Sequence, residues 1–234
     1  MAAQVTGEGL PPTRRVTANP SGWAVPVCMF VILRHHWALM VSLQTLTLTQ
    51  LQQIFAARTL PDLTLLPDKR CSAVAMLFTV IGGELCLCVG RRAAYPGDPW
   101  SGDMAFPGGK GEPEDRTFHD IAIREAEEET GLPLGNLQPF GALELLQTFG
   151  TATRPPLFVR PVLYSLPAPP PPFHLNGELD AAFWIPLNHL WDPANATTLQ
   201  YGDPPRTFPG IQFGEDVIWG FTLRMMGFLR EAVG

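Results

Sequence analysis

Four of the nine residues Arg124–Leu132, REAEEETGL, are glutamates, in a chain where 16% of residues are charged. At about 100° per residue, with Glu125 set at 0°, Glu129 falls near +40°, Glu128 near −60° and Glu127 near 200°. Three carboxylates therefore share one helix face, and Glu127 points away. Such a face is unfavourable alone, because Glu125 repels Glu128 and Glu129 at i+3 and i+4, each pair costing about 0.2–0.5 kcal/mol. Glu128 and Glu129 also stand near the negative end of the helix dipole, where cations are preferred. A bound cation would relieve both. The competing reading is a solvated acidic face whose charge Arg124 partly offsets at i+4 to Glu128.

The elements that must hold this face are legible around it. The helix is expected from about Thr117 to Thr130, with Ile123 and Ala126 on a packing stripe and Gly131 as C-cap. Upstream, SAVAMLFTVIGGELCLCVGRR reads as two buried strands split by Gly82-Gly83-Glu84. The long loop AAYPGDPWSGDMAFPGGKGEPEDR then feeds the helix. Downstream, GALELLQTFG, LFVRPVLYSL and ELDAAFWIPL read as strands, and Pro167–Pro172 as a polyproline loop. A loop rich in Asn, Thr, Gly and Pro follows, then a helix after Gly214 whose apolar stripe is Ile218, Phe221, Met225, Phe228 and Leu229. This order predicts an α+β fold, an α/β/α sandwich on a mixed sheet.

Bulk properties exclude several classes. The net charge is −6, and no Lys/Arg run is longer than a pair such as Arg91-Arg92, which argues against a nucleic-acid surface. The apolar run Trp23–Leu33 is too short to span a bilayer and ends at Arg34, His35 and His36; no small-residue cleavage site follows it. Cys28, Cys71, Cys86 and Cys88 lack metal-ligand spacing and read as reduced core residues of a cytoplasmic protein. Residues 1–45 are expected to be a poorly ordered or dispensable segment, with Met40 a plausible start, and 46–234 the working domain. Within it, Thr47–Arg58, TLTQLQQIFAAR, reads as a capped amphipathic helix.

Taken together, Phe106–Leu132, FPGGKGEPEDRTFHDIAIREAEEETGL, resembles the signature of the Nudix hydrolases. Arg124, Glu125, Glu128, Glu129, Gly131 and Leu132 match its second half position by position. The first half departs: Asp115 stands six residues after Gly109 where the family has Glu, with one extra residue before Arg124. Asp115, Glu112 and Glu114 are the candidates for that acidic role. The Gly102–Gly109 lead-in, Phe183–Leu187 and Val217–Arg224 look like the branch containing coenzyme A pyrophosphatases, although Gly97 stands where that branch has a second Arg.

The resemblance implies a metal-dependent diphosphatase acting on a nucleotide-diphosphate small molecule, coenzyme A or acyl-CoA among them. Mg²⁺ or Mn²⁺ would be held by Glu125, Glu128, Glu129 and the Gly109 carbonyl. Hard cations of this kind take oxygen ligands. Arg124 would orient the carboxylates, and Glu128 or Glu129 would act as base, with Glu144, Glu178 and His119 as further options. Arg92, Lys110 and Trp100 are candidate substrate contacts, the first two for phosphate and Trp100 for a nucleotide. Trp184, Trp191 and Trp219 read as core or interface aromatics, His119 as a satisfied helix residue and Glu127 as a surface charge. The other function class is a non-catalytic Nudix-fold module that senses a nucleotide; retention of the three glutamates favours the enzyme. A homodimer is compatible with either the apolar C-terminal helix or the N-terminal segment.

Overall fold

The computed structural model describes residues 15–17, 46–96, 98, 100–148 and 155–234. Of the segment 1–45 only Arg15–Thr17 is described, as strand β1; the other expectations for that segment, and Cys28, lie outside the described residues. Helix α1, Leu48–Ala56, starts at a Thr47–Gln50 capping box and buries Leu51 and Phe55.

The hairpin forms as its sequence predicts. Strands β2, Arg70–Ile81, and β3, Glu84–Arg92, are joined by Gly82 and Gly83, both at positive φ, 60° and 86°. They pair only from Phe78↔Leu87 to the turn, then separate. The segment after the long loop fills the gap: β4, Met104–Ala105, pairs with β3, and β5, Gly108–Lys110, pairs with Ser72–Val74 of β2. This insertion carries Gly108 and Gly109 into the interior of the sheet.

Helix α2, Phe118–Thr130, follows. Next come two short strands, β6, Gly141–Ala142, and β7, Leu146–Gln147, both bonded to β8, Leu157–Ser165. The single strand expected over GALELLQTFG is thus two short ones. Strand β8 runs parallel to β2 from Arg70↔Leu157 to Phe78↔Ser165, and β9, Leu179–Pro186, runs antiparallel to β3. The result is an eight-stranded mixed sheet.

Each face of that sheet carries its own core. On one, Phe118, Ile121, Ala122 and Ala126 of α2 pack on Ala73, Ala75, Leu77 and Cys88, whose small side chains let the helix sit close. On the other, Met76, Phe78, Leu87 and Val89 meet α1, the short α3, Leu187–Trp191, and α4, Gly220–Val233. Helices above and below one mixed sheet make the predicted α+β sandwich.

Two expectations fail in the C-terminal third. The stretch read as a Pro/Gly-rich loop forms β10, Ala196–Tyr201, and β11, Arg206–Phe213, which join β12, Asp216–Trp219, and β1 in a second antiparallel sheet. The last helix begins at Gly220, so Ile218 of the proposed stripe is a strand residue that reaches the same core. Turn-forming residues masked the alternation in ATTLQY and RTFPGIQF, and Gly220, at φ 59°, breaks the backbone between strand and helix. No helix among the described residues is long and apolar enough to cross a membrane.

Candidate active site

Helix α2 is fixed at both ends by its own sequence. Thr117 and Asp120 form a capping box, and Gly131 closes the C-terminus in the left-handed region at φ 67°. Its buried stripe fixes its rotation, which turns Glu125 and Glu129 toward β5.

Two glycines leave room for this approach, one against β2 and one against the carboxylate. Gly108 sits at φ 152°, and a Cβ on it would run into the Ala73 carbonyl and the Val74 backbone. A Cβ on Gly109 would collide with the Glu125 carboxylate. The Gly108 N–H donates to Glu129 Oε2 at 2.9 Å, and the Ser72 hydroxyl donates to the Gly109 carbonyl.

The three carboxylates differ in exposure. Glu129 is 4% exposed, and its carboxyl is pushed up to about 7, first by burial, against the Gly108 hydrogen bond, with Glu178 and Glu125 adding and Arg92 opposing. Glu125 is also raised, chiefly by burial, with Arg124 opposing and Glu128 and Glu178 adding. The Glu128 side chain is 55% exposed. Glu127 points elsewhere, as the wheel predicts, but it is no idle surface charge: its carboxylate accepts from the N–H groups of Leu134 and Gly135, the latter at 2.7 Å.

Arg124 organises the cluster. Its guanidinium reaches Asp115 Oδ2 at 2.8 Å, the Lys110 carbonyl at 3.0 Å, Glu125 at 3.2 Å and Glu128 at 3.7 Å. The Asp115 hydrogen bond, above all, raises its pKa further. Asp115, with a side chain 5% exposed, also accepts from the Glu112 N–H at 2.8 Å. The irregular first half of the motif thus places an acid that anchors Arg124. Glu112 is 4.0 Å from Arg124 with its side chain 59% exposed, and Glu114 is exposed.

The remaining candidates separate by place. Arg92 stands near enough to Glu129 to oppose its protonation; its Nη2 bonds Asp98 at 3.1 Å, and its buried Nε has no hydrogen-bond partner among the described residues. Lys110 is exposed on β5, and Trp100 is half-exposed on the loop before β4. Glu178, just before β9, accepts from Ala93 N–H through its carbonyl at 2.8 Å and places its charge within reach of Glu125 and Glu129. Glu144 is elsewhere, beside Arg160 in a cleft of about 430 Å³ lined also by Arg58 and Glu231. His119 is satisfied by the Tyr164 hydroxyl at 2.9 Å. Trp184 stacks on Phe173, Trp191 is buried, and Trp219 donates to Asp103 at 2.8 Å.

Among the described residues, no three His, Cys, Asp or Glu side chains already converge on a point able to hold an ion. The donor set still suits a hard divalent cation. It is all oxygen, it includes the exposed carboxylate of Glu128, and two of its members have carboxyls raised by burial that a cation would relieve. Glu125, Glu128, Glu129 and the Gly109 carbonyl are the groups that would hold it.

Sequence reasoning missed Ser72 and Asp98. Ser72 had a signal, as the one polar residue at the start of the apolar run SAVAMLF, whereas nothing in the spacing of Asp98 marks it as the partner of Arg92.

The NUDIX domain model matches residues 69–203, which run from β2 through α2 to β10. The chain belongs to the Nudix family. It is 29% identical over 164 residues to the uncharacterized Nudix hydrolase NudL of Yersinia pestis (strain Pestoides F), covering 69% of this chain and 79% of that protein. Among solved structures it is similar to the Nudix domain of Shewanella oneidensis NrtR, complexed with ADP ribose, at 14% identity, covering 72% of this chain and 91% of that one (TM-score 0.45). It is also similar to a C. elegans Ap4A hydrolase at 21% identity, covering 51% and 81% (TM-score 0.42). The Nudix match contains every residue of the acidic cluster and both glycines that face it.

Proposed function

We propose that this chain is a metal-dependent pyrophosphohydrolase that cleaves the diphosphate of a nucleoside diphosphate linked to another moiety. The observation that carries this reading is the seating of Glu125 and Glu129 against the backbone at Gly108 and Gly109, with the exposed carboxylate of Glu128 beside them. That arrangement holds negative charge where a divalent cation would bridge the carboxylates to a phosphate, beside a backbone with no Cβ to block its approach.

Mg²⁺ or Mn²⁺, when bound, neutralises diphosphate charge and lowers the pKa of a bound water. Glu125, Glu128, Glu129 and the Gly109 carbonyl are the groups that would hold it. Glu128 or Glu129 accepts the proton of the attacking water at a carboxylate oxygen. Arg124 positions Glu125 through its contacts to Asp115 and Lys110, and it touches no substrate. Arg92 and Lys110 supply positive charge to the phosphates from opposite sides of the loop.

Among such substrates, coenzyme A or acyl-CoA is the leading choice. The support is the Gly102–Gly109 lead-in and the FWIPL stretch, which here lies on β9 against β3. The deciding experiment is a screen of diphosphate compounds with Mg²⁺ or Mn²⁺ and product identification. Release of phosphopantetheine and a 3′,5′-phosphorylated adenosine from coenzyme A is expected. Nucleotide binding without turnover of any diphosphate would replace this reading with the sensor module.

A further inference from the structure

Four large hydrophobic side chains are prominently exposed among the described residues, and two of them, Tyr95 and Trp100 at 50% each, stand on the one loop between β3 and β4. The neck of that loop is Arg92, whose N–H donates to the Asp103 carbonyl and whose carbonyl accepts from Gly102 N–H, both at 2.9 Å. Within it, Asp98 N–H bonds Tyr95 O at 3.1 Å, Asp103 N–H bonds Trp100 O at 3.0 Å, and the Ser101 hydroxyl bonds both the N–H and the carbonyl of Tyr95 at 3.0 Å. The Asp98 carboxylate accepts from Trp100 N–H at 3.1 Å and from the Arg92 guanidinium at 3.1 Å.

The two rings are therefore exposed on a frame closed by its own hydrogen bonds. That frame is tied to the site twice, through Arg92 on one side and on the other through the Tyr95 hydroxyl, which donates to the Gly177 carbonyl at 2.9 Å, next to Glu178. Half-exposed aromatic rings on a loop tied to Arg92 and to the neighbour of Glu178 offer the kind of surface on which a nucleobase stacks.

We propose that Tyr95 and Trp100 form the wall on which the substrate's nucleobase stacks, with Arg92 between base and diphosphate. This deepens the preceding reading and rests on its placement of the diphosphate at the α2 cluster. It assigns recognition to the nucleotide half of the substrate, leaving the second moiety to other surfaces.

The test uses the full chain with Mg²⁺ and two probes that contain no phosphoric anhydride: AMP, and ribose 5-phosphate as the same ligand without a base. The wild type is expected to bind AMP about tenfold more tightly than ribose 5-phosphate, with quenching of tryptophan fluorescence; stacking on one ring is worth about that factor. Trp100→Leu and Tyr95→Leu should each erase most of that preference and leave the ribose 5-phosphate Kd in place, and Trp100→Phe should restore it. Equal affinity of the wild type for the two probes, or an unchanged preference in either leucine variant, overturns the proposal. Failure of the hydrolase reading would register separately, as base-dependent AMP binding in a protein that turns over no diphosphate.

Discussion

Helices α2 and α4 are almost equal in length and cover opposite faces of the same sheet, yet they are secured in different ways. Helix α4 enters from Trp219 with no side-chain cap and is held by Met225, Met226 and Leu229 in the apolar core. Helix α2 has a capping box, a left-handed glycine at its end and Arg124 clamped to Asp115, and its polar side is pressed onto the backbone at Gly108 and Gly109. An apolar face tolerates small shifts, because dispersion contacts are many and individually weak. A face of carboxylates that must meet a ligand does not, since an error of about 1 Å in position can reduce rate a hundredfold. Local fixation is concentrated where position matters chemically.

The contrast can be broken most directly at the carboxylates. Glu128→Gln is expected to lower kcat by about 10²–10⁴-fold while the melting temperature stays close to wild type, because Glu128 is the exposed member of the cluster. Steady-state hydrolysis beside a thermal melt decides it, and turnover near the wild-type rate would move the metal site elsewhere. Met225→Ala should do the reverse: about 2–5 kcal/mol lost in denaturant unfolding, with kcat per folded molecule retained.

Arg124→Ala should affect both properties. Removing the partner of the buried Asp115 should cost about 2–3 kcal/mol, and looser carboxylates should lower kcat by about 10–100-fold. A variant that lost stability alone would reduce Arg124 to a structural ion pair.

The smallest effect is a pH dependence. The Glu129 carboxyl is raised from an unfolded value of 4.5 to about 7, so between those values the folded state binds more protons than the unfolded state. Stability of the metal-free protein therefore falls as pH rises from about 4.5 through about 7. The sign reverses for metal: millimolar Mg²⁺ should raise Tm, and should do so more at pH 8 than at pH 5, because the cation binds the ionised carboxylates of the folded state. Thermal melts across that range with and without Mg²⁺ measure both trends, and Glu129→Gln should flatten the metal-free one.

What could be read from the sequence follows the same division. The α2 wheel, the Gly131 cap, the Gly82-Gly83 hairpin and the buried β2 and β3 were all visible, because each is specified by residues close in the chain. The carboxylate face was visible for the same reason. The second sheet was not, since β10 and β11 lie partly exposed and are surrounded by, or contain, the Gly and Pro that ordinarily mark loops. Nor were the contacts that bring separate segments together: Asp115 to Arg124 across a loop of altered length, Gly108 to Glu129, and Glu127 to the turn at Leu134 and Gly135. Those depend on how β5 is threaded between β2 and β3, which no local pattern encodes.

The Ser72 hydroxyl bond to the Gly109 carbonyl carries a last consequence. A carbonyl oxygen has two lone pairs, and Ser72, reaching across from β2, occupies one of them. The other faces the β2 ladder, where Ala73 stands opposite Gly109. The position of this carbonyl is decided by two adjacent residues of a strand outside the signature motif, so a chain could retain every residue of that motif and still seat its glycine differently.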